Sequence, residues 1–212
     1  MKKFTILFLV NIILISCSPL TQKKNSGWIN LFDGKTLNGW KANENPGTFT
    51  VENGAIVVKG PRAHLFYTGS VMNHDFKNFE LKVRLMTLPG SNSGIYFHTA
   101  YQESGWPSKG YEVQVNNSHT DWRRTGSLYA IQDVKEVFVK DNEWYTEHII
   151  VNGKNVTIKI NDKTVVEYTE PENVSRPNET AGRWISRGTF ALQGHDPEST
   201  VIFKEVKVRP LP

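Results

Sequence analysis

Alternation of apolar and polar residues with a period of two constrains the fold of this chain more than any other feature. The clearest example is residues 79–85, Phe-Glu-Leu-Lys-Val-Arg-Leu, in which every second side chain is apolar. This alternation predicts a strand with one face in a core and the other face in solvent. Residues 200–208 show the same pattern before prolines stop the chain. Because no window shows a convincing run of apolar residues at helical spacing, helices are expected to contribute little.

Turn sequences join the predicted strands. Two hairpins are expected where Asn-Gly dipeptides, which tolerate positive φ, lie between strand-like runs. They join residues 48–51 to 55–59 and residues 144–151 to 155–160, and a further run at 164–168 extends the second hairpin into a meander. Many short strands joined by Gly, Pro and Asn turns predict an all-β sandwich.

The first 17 residues resemble a bacterial export signal. An apolar run from Phe4 to Ile15 is too short to span a membrane as a helix, and it leads into Ser16-Cys17, which is similar to a lipobox. Cys17 is the only cysteine, so no internal disulfide can form. A plain secretion signal with an incidental cysteine is the alternative. We predict a signal peptide at residues 1–17 with lipidation of Cys17, a tether at residues 18–26 and one folded domain at residues 27–212.

The charge of the exported domain is close to neutral. Removing residues 1–17 takes away Lys2 and Lys3 and no acid, so the formal charge falls from +4 to +2. Without a clustered basic face, nucleic acid is not an expected partner.

The lipid on Cys17 would attach the protein to a membrane of the bacterial cell envelope, facing the periplasm. About 185 residues remain, which is enough for one domain with a sizeable core.

A polar row follows the strand predicted at residues 110–117, Gly-Tyr-Glu-Val-Gln-Val-Asn-Asn. Glu112, Gln114 and Asn116 share one face of this strand. The bulky residues between them, Tyr and Val, anchor the opposite face and suggest a strand in the interior of a sheet. The row is therefore a candidate binding surface.

Two further strand-like segments place polar side chains opposite apolar ones. The period of two assigns Tyr96 and His98 to one face of residues 93–98, and Gln193 and His195 to one face of residues 190–195. If these strands neighbour the polar row, the three faces form a cleft for a polar ligand. For each of these residues, a surface or hydrogen-bonded structural role is the alternative.

Histidine and carboxylate side chains also allow a metal to be considered. His98, Glu112 and His195 could bind a divalent cation. The sequence contains no short metal motif, however, so no cofactor is firmly predicted. Asp196 could orient His195, or it could begin the turn that the Asp-Pro dipeptide indicates.

Three long connections carry large side chains that could contact a ligand. Arg124 could hold a carboxylate ionised or donate to an anionic intermediate, and a solvated position is the alternative. The connections are residues 99–109, 117–127 and 169–187, and they hold Trp106, Trp122 and Trp184, which could stack on sugar rings or pack in the core.

Catalysis by a Ser-His-Asp triad is not indicated, because the Gly-x-Ser-x-Gly motif is missing.

Six motifs occur in a fixed order along the chain. They are WINLFDGKTLNGW at 28–40, DFKNFEL at 75–81, NSGIYF at 92–97, GYEVQV at 110–115, RTGSLY at 124–129 and LQGHD at 192–196. In this order they resemble the bacterial 3-keto-disaccharide hydrolase domain family, and the resemblance extends from Gly27 to Leu211. It implies a concanavalin A-like jelly-roll sandwich whose concave sheet forms a sugar cleft. It also implies a 1,2-lyase acting on 3-keto-glycosides, with hydration of the 3-keto-2-hydroxy-glucal product as a second step.

The polar row departs from the pattern of glycosidases with the implied fold. Laminarinase-like enzymes carry Glu-x-Asp-x-x-Glu on a concave strand, whereas the matching row here is Glu112, Gln114, Asn116 and Asn117. Only one carboxylate remains. One carboxylate suits a lyase, which needs a base, stabilisation of an enolate and a proton for the leaving group.

These considerations predict a carbohydrate-active enzyme that cleaves 3-keto-glycosides. Glu112 or His98 is expected to act as the base, with His195 as the acid or its partner. The alternatives are a non-catalytic carbohydrate-binding module and, less favoured, a retaining glycosidase that uses Asp196 or Asp133 as its second carboxylate. Contacts to the sugar are expected from Gln114, Arg124, Tyr129, Gln193, Asp196, Tyr96, Trp106 and Trp122.

Overall fold

The computed structural model describes Met1 and residues 27–212. The predicted tether and Cys17 lie outside the described residues, as does the predicted signal peptide apart from Met1, so these assignments remain predictions. In the part of the chain that is described, no helix is long and apolar enough to cross a membrane.

The described residues form thirteen strands and three short 3-10 segments. The strands are β1 (Ile29–Asn30), β2 (Trp40–Ala42), β3 (Phe49–Glu52), β4 (Ala55–Lys59), β5 (Ala63–Tyr67), β6 (Phe79–Thr87), β7 (Ser93–Thr99), β8 (Tyr111–Val115), β9 (Tyr145–Asn152), β10 (Asn155–Ile160), β11 (Lys163–Thr169), β12 (Thr189–Gly194) and β13 (Thr200–Pro210). The 3-10 segments are Pro46–Thr48, Val71–His74 and Asn178–Thr180.

Two antiparallel sheets form the sandwich that the sequence predicts. The larger sheet has the order β11-β10-β9-β6-β13-β4-β3, with β1 also paired to β13, and the smaller has the order β2-β5-β12-β7-β8. Between them, the apolar residues of β6 and of the smaller sheet meet in one core. Phe79 of β6, for example, packs edge-on against Phe97 and Phe190 at ring separations of 5.8 and 4.9 Å. Each such fully buried ring contributes roughly 1.5–3 kcal/mol.

The predicted hairpins are confirmed. Asn53 and Gly54 adopt positive φ values of 49° and 77° between β3 and β4, as the Asn-Gly turn requires. Strands β9, β10 and β11 form the predicted meander at one end of the larger sheet.

Strand β8, which carries the polar row, is the last strand of the smaller sheet, so the prediction of an interior strand is wrong. Its outer edge is covered by a loop instead. The N–H of Gln114 donates to the carbonyl of Ser127 at 2.9 Å, and the N–H of Tyr129 donates to the carbonyl of Glu112 at 3.0 Å. Because the loop satisfies these backbone groups, β8 is buried on both faces like an interior strand.

Glu147 of β9 is a carboxyl group inside the core. It lies on the same face as Ile149 and Val151, is fully buried, and has no hydrogen-bond partner for either carboxyl oxygen among the described residues. Burial raises the pKa of Glu147 well above its usual value. The folded protein therefore holds a proton on Glu147 that the unfolded chain releases above about pH 4.5.

We expect the Glu147→Gln variant to gain stability over the wild-type protein as the pH rises. Above the pKa of Glu147 in the unfolded chain, the folded state binds more protons than the unfolded state. Glu147 therefore lowers the free energy of unfolding by up to about 1.4 kcal/mol for each pH unit, until the pH passes its pKa in the folded protein. Urea titrations at several pH values between about 5 and 8 measure this slope. Glu205→Gln, on the outer face of the same sheet, is the control. Equal slopes for wild type and Glu147→Gln would contradict the prediction.

Candidate functional site

A pocket of about 500 Å³ opens on the face of the smaller sheet that points away from the core. We call it the concave pocket. Its floor consists of polar side chains from β7, β8 and β12, and its walls come from residues 106–108 and residues 178–183. The latter belong to a segment, residues 170–187, that we call the cover loop.

Strand register brings the floor residues together. Tyr96 of β7 pairs with Glu112 of β8, and Gly94 pairs with Gln114. Because directly paired residues point to the same face, the side chains of Tyr96, Glu112 and Gln114 meet above the sheet. Gln193 of β12 completes the group, since its amide nitrogen donates to Glu112 at 2.9 Å and to the Tyr96 hydroxyl at 3.1 Å. The prediction that three strands share one polar face is confirmed for these four residues.

Gly94 makes room for the Glu112 carboxylate. A Cβ atom at position 94 would collide with the Oε1, Cγ and Cδ atoms of Glu112. The glycine in the Asn-Ser-Gly-Ile motif is therefore needed for the close approach of a side chain.

Glu112 lies in a desolvated but hydrogen-bonded environment. It is only 5% exposed, and burial raises its pKa above the usual range for Glu. The Arg183 guanidinium, 3.7 Å from Oε2, and the hydrogen bonds from Tyr96 and Gln193 oppose this rise. A carboxylate whose pKa is raised toward neutrality is suited to general-base chemistry.

Arg183 is a site residue that no sequence pattern indicates. Its guanidinium lies over the Tyr129 ring at 4.9 Å, donates to the Tyr129 carbonyl and pairs with the Glu112 carboxylate at 3.7 Å. It comes from the cover loop, where no periodic pattern shows which way a side chain points. Tyr129, a predicted sugar contact, forms the wall beneath it.

Buried contacts hold the cover loop in place. The Glu170 carboxylate accepts from the N–H of Ile185 at 2.8 Å and from the Tyr111 hydroxyl. Arg176 donates to the hydroxyls of Tyr111 and Tyr168 at 2.9 and 2.7 Å. Both ends of the loop are thus tied to the sandwich, which fixes the backbone that carries Arg183.

His195 and Asp196 form a dyad at the rim of the concave pocket. His195 Nδ1 lies 2.6 Å from Asp196 Oδ2, and since a carboxylate only accepts, Nδ1 carries the proton and Nε2 is left for a ligand. Burial opposes ionisation of Asp196, but hydrogen bonds from His195 and Ser199 together lower its pKa. Asp196 also accepts from the N–H groups of Glu198 and Ser199, so both roles considered for it, orienting His195 and beginning a turn, are realised.

The placement predicted for His98 is wrong. His98 has a φ of 55°, and the register between β7 and β12 shifts next to it, so the alternation of side chains breaks there. Its ring packs against Phe79 in the core, and its Nε2 lies 2.8 Å from the carbonyl of Lys77. Burial lowers its pKa to about 4. His98 does not line the concave pocket and is removed as a candidate base.

Arg124 and Trp122 are also placed outside the concave pocket, contrary to their predicted contact with the sugar. Arg124 Nη1 donates to the carbonyls of His119 and Asp121 at 2.7 and 2.9 Å and closes the loop that follows β8. Trp122 is half-exposed and packs under the guanidinium of Arg123 at 4.8 Å. Both side chains are occupied by contacts within their own loop.

Trp106, a predicted sugar contact, stands at the wall of the concave pocket with 44% of its surface exposed. Its ring lies 5.4 Å from that of His195 and 5.5 Å from that of His64. His64 is fully buried, neither ring nitrogen has a hydrogen-bond partner among the described residues, and burial lowers its pKa to about 3. A neutral imidazole thus supports the platform that Trp106 offers to a ligand.

One group of side chains in the described part of the chain could hold a metal ion. Ligand atoms of His119, His195 and Asp196 lie within 4.8 Å of one another at the rim of the concave pocket. Two imidazoles and a carboxylate suit a divalent transition metal. The set considered from the sequence is not assembled, because His98 lies in the core. A divalent cation therefore remains a prediction, at a changed set of residues.

Known proteins resemble this chain in sequence. A family model described as a 3-keto-alpha-glucoside-1,2-lyase-like domain matches residues 27–209. The chain is 31% identical over 170 residues to a 3-keto-disaccharide hydrolase of Bacteroides thetaiotaomicron, which covers 67% of this chain and 58% of that protein. The match thus spans little more than half the length of this relative.

Solved structures agree with the fold. A candidate glycosyl hydrolase from Parabacteroides distasonis is similar with a TM-score of 0.74 and 25% identity, covering 88% of this chain and 94% of that one. A non-specific endo-β-1,3(4)-glucanase is similar with a TM-score of 0.54 and 14% identity, covering 86% of this chain and 91% of that one. The sandwich is a concanavalin A-like jelly roll, as the resemblance implies.

Proposed function

The chain belongs to the family of 3-keto-alpha-glucoside-1,2-lyase-like domains, and we propose from this premise that it cleaves 3-keto-glycosides by elimination across carbons 1 and 2 of the sugar. The observation that carries the proposal is a single buried carboxylate, Glu112, facing a guanidinium, Arg183, on the floor of a sugar-sized pocket. Elimination from a sugar with a ketone at carbon 3 needs a base for the hydrogen on carbon 2 and a group that stabilises the enolate, and these two residues can supply both.

Glu112 is the proposed base. The ketone at carbon 3 acidifies the hydrogen on carbon 2, and Glu112 removes that hydrogen as a proton. The electron pair left on carbon 2 is delocalised onto the ketone oxygen as an enolate. When the enolate collapses, carbons 1 and 2 form a double bond and the bond from carbon 1 to the leaving-group oxygen breaks. The products are the 3-keto-2-hydroxy-glucal and the free alcohol.

Arg183 is the proposed stabiliser of the enolate. Its guanidinium borders the concave pocket and is fixed by its contacts with Tyr129, so it need not reorganise as negative charge develops. Gln193 holds Glu112 on the pocket floor. This assignment replaces Arg124, whose donors are occupied within its own loop.

His195 is the proposed acid for the leaving group. Its Nδ1–H is bonded to Asp196, which fixes the orientation of the ring and directs Nε2 outward. An imidazolium at this position donates its Nε2 proton to the departing oxygen and becomes neutral. Trp106, whose ring lies 5.4 Å from that of His195, offers a face on which the sugar can stack.

A retaining glycosidase is less well supported by this geometry. The two candidates for a second carboxylate are engaged elsewhere: Asp133 accepts from Arg123 at 3.1 Å, and Asp196 is bonded to His195. A retaining mechanism needs two carboxylates about 5–5.5 Å apart and free to react.

Incubation with 3-keto-glucosides of both anomers, with and without chelator, tests the proposal. We expect the glucal, identified by mass spectrometry. Where hydration follows, the resulting 3-keto-glucose should carry deuterium at carbon 2 when the reaction is run in D₂O. Formation of 3-keto-glucose without deuterium would indicate direct hydrolysis and overturn the elimination. Binding without any turnover would favour a carbohydrate-binding module.

A further inference from the structure

Trp184 differs from the other exposed tryptophans of the described chain. Trp106, Trp122 and Trp144 each have an arginine over the ring, at 5.4, 4.8 and 5.8 Å respectively. The indole of Trp184 is 50% exposed and has no aromatic or cationic partner among the described residues. An indole that is exposed without a partner does not gain the stabilisation that burial of its large apolar surface would give.

Trp184 borders a second depression of about 480 Å³, which we call the outer depression. Its walls are residues 170–175, Lys154 and Ile185, and none of them lines the concave pocket. The cover loop thus presents Arg183 to one cavity and the next residue, Trp184, to another. A volume of this size is in the range of small-ligand sites.

We propose that the outer depression is a second saccharide-binding site, with Trp184 as its stacking platform. The axial hydrogens of a pyranose ring form an apolar plate that packs on an indole face. Hydroxyl groups around the ring need donors and acceptors, which Asn173 and Ser175 supply from the exposed rim.

The charge of the outer depression selects a neutral sugar. On its wall, Lys154 and Glu172 form an ion pair at 2.6 Å, and Glu170 pairs with Arg176 at 4.0 Å. The rim therefore offers balanced charge rather than a site for an anion. A lipid chain would need a continuous apolar wall, whereas Asn173 and Ser175 interrupt this one. A neutral oligosaccharide matches both the free indole and the polar rim.

The second site shares its ligand class with the proposed function but requires no turnover. It would hold part of a longer glycan on the protein while a terminal ring is processed in the concave pocket. Loss of Trp184 is therefore expected to weaken oligosaccharide binding without changing kcat on a small 3-keto-disaccharide.

Titration of the wild-type protein and of Trp184→Ala with maltohexaose, cellohexaose and laminarihexaose tests the inference. Isothermal calorimetry should detect binding of at least one of them, weakened at least about tenfold in Trp184→Ala and partly restored in Trp184→Phe. Trp144→Ala is the matched control, because its ring is exposed but packs under Arg84, and it should bind like wild type. Circular dichroism checks that each variant is folded.

Two results would overturn the inference: no binding of any of the three oligosaccharides, or equal affinity of wild type and Trp184→Ala. The outcome is separable from that of the proposed function. Glu112→Gln should keep the Trp184-dependent binding even where turnover is lost. Conversely, Trp184→Ala should still convert the small 3-keto-disaccharide at the wild-type kcat.

Discussion

Glu112→Gln is expected to lower kcat on a 3-keto-glucoside by about 10²- to 10⁴-fold, the usual worth of a positioned general base. Gln has the size of Glu and can still accept the hydrogen bond from Gln193, but it cannot take a proton. The fold and the pocket floor should therefore persist while proton removal from carbon 2 stops. Substrate affinity, measured by calorimetry in the absence of turnover, is expected to change little.

The exchange of the carbon 2 hydrogen isolates the step assigned to Glu112. Wild-type protein in D₂O should introduce deuterium at carbon 2 of the substrate or of the 3-keto-glucose formed by hydration, and Glu112→Gln should not. Glu205→Gln is the control, because this carboxylate lies on the outer face of the larger sheet and pairs with Lys207. Normal turnover by Glu112→Gln would remove Glu112 as the base and direct attention to His195.

The sandwich and the pocket floor could be predicted because both follow from local periodicity. The alternation in residues 79–85 and the Asn-Gly turns identify strands without knowledge of their partners. The same period assigns Glu112 and Gln114 to one face of β8 and Gln193 to one face of β12. Pairing of β7 with both β8 and β12 then brings these faces together.

Breaks in the periodicity could not be predicted. The period of two places His98 beside Tyr96, but a positive φ at a register shift turns its ring into the core. The edge position of β8 depends on pairing between distant segments, and a loop that covers its edge gives it the burial of an interior strand. His64 lies on β5, which is buried on both faces. This strand has no row of alternating polar residues that would predict a position for His64 near the pocket.

Loop residues were the least predictable part of the site. The sequence predicts that Arg124, which follows β8 closely, contacts the sugar, but its guanidinium is held within its own loop. Arg183 is far from β8 in sequence and reaches Glu112. The difference arises from tertiary contacts: Glu170 and Arg176 anchor the cover loop, while the loop after β8 closes on the Arg124 guanidinium. No pattern within either loop encodes these contacts.

Arg183→Met should lower kcat by about 10²- to 10³-fold, the usual cost of removing one group that stabilises an oxyanion. Met approximates the length of the Arg side chain without its charge, and Lys should restore part of the rate as a point charge. Arg187→Met is the matched control, because Arg187 belongs to the same cover loop but is exposed and pairs with Asp75. Steady-state kinetics on a 3-keto-glucoside measure all three variants.

The pH profile separates a chemical role of Arg183 from a structural one. Arg183 holds the pKa of Glu112 below the value that burial alone would give. Without the guanidinium, Glu112 releases its proton at higher pH. The acidic limb of the pH profile of kcat/KM should therefore shift to higher pH in Arg183→Met and keep its wild-type position in Arg187→Met. A loss of rate with an unmoved acidic limb would mean that Arg183 only supports the cover loop through Tyr129, and the enolate would then need another stabilising group.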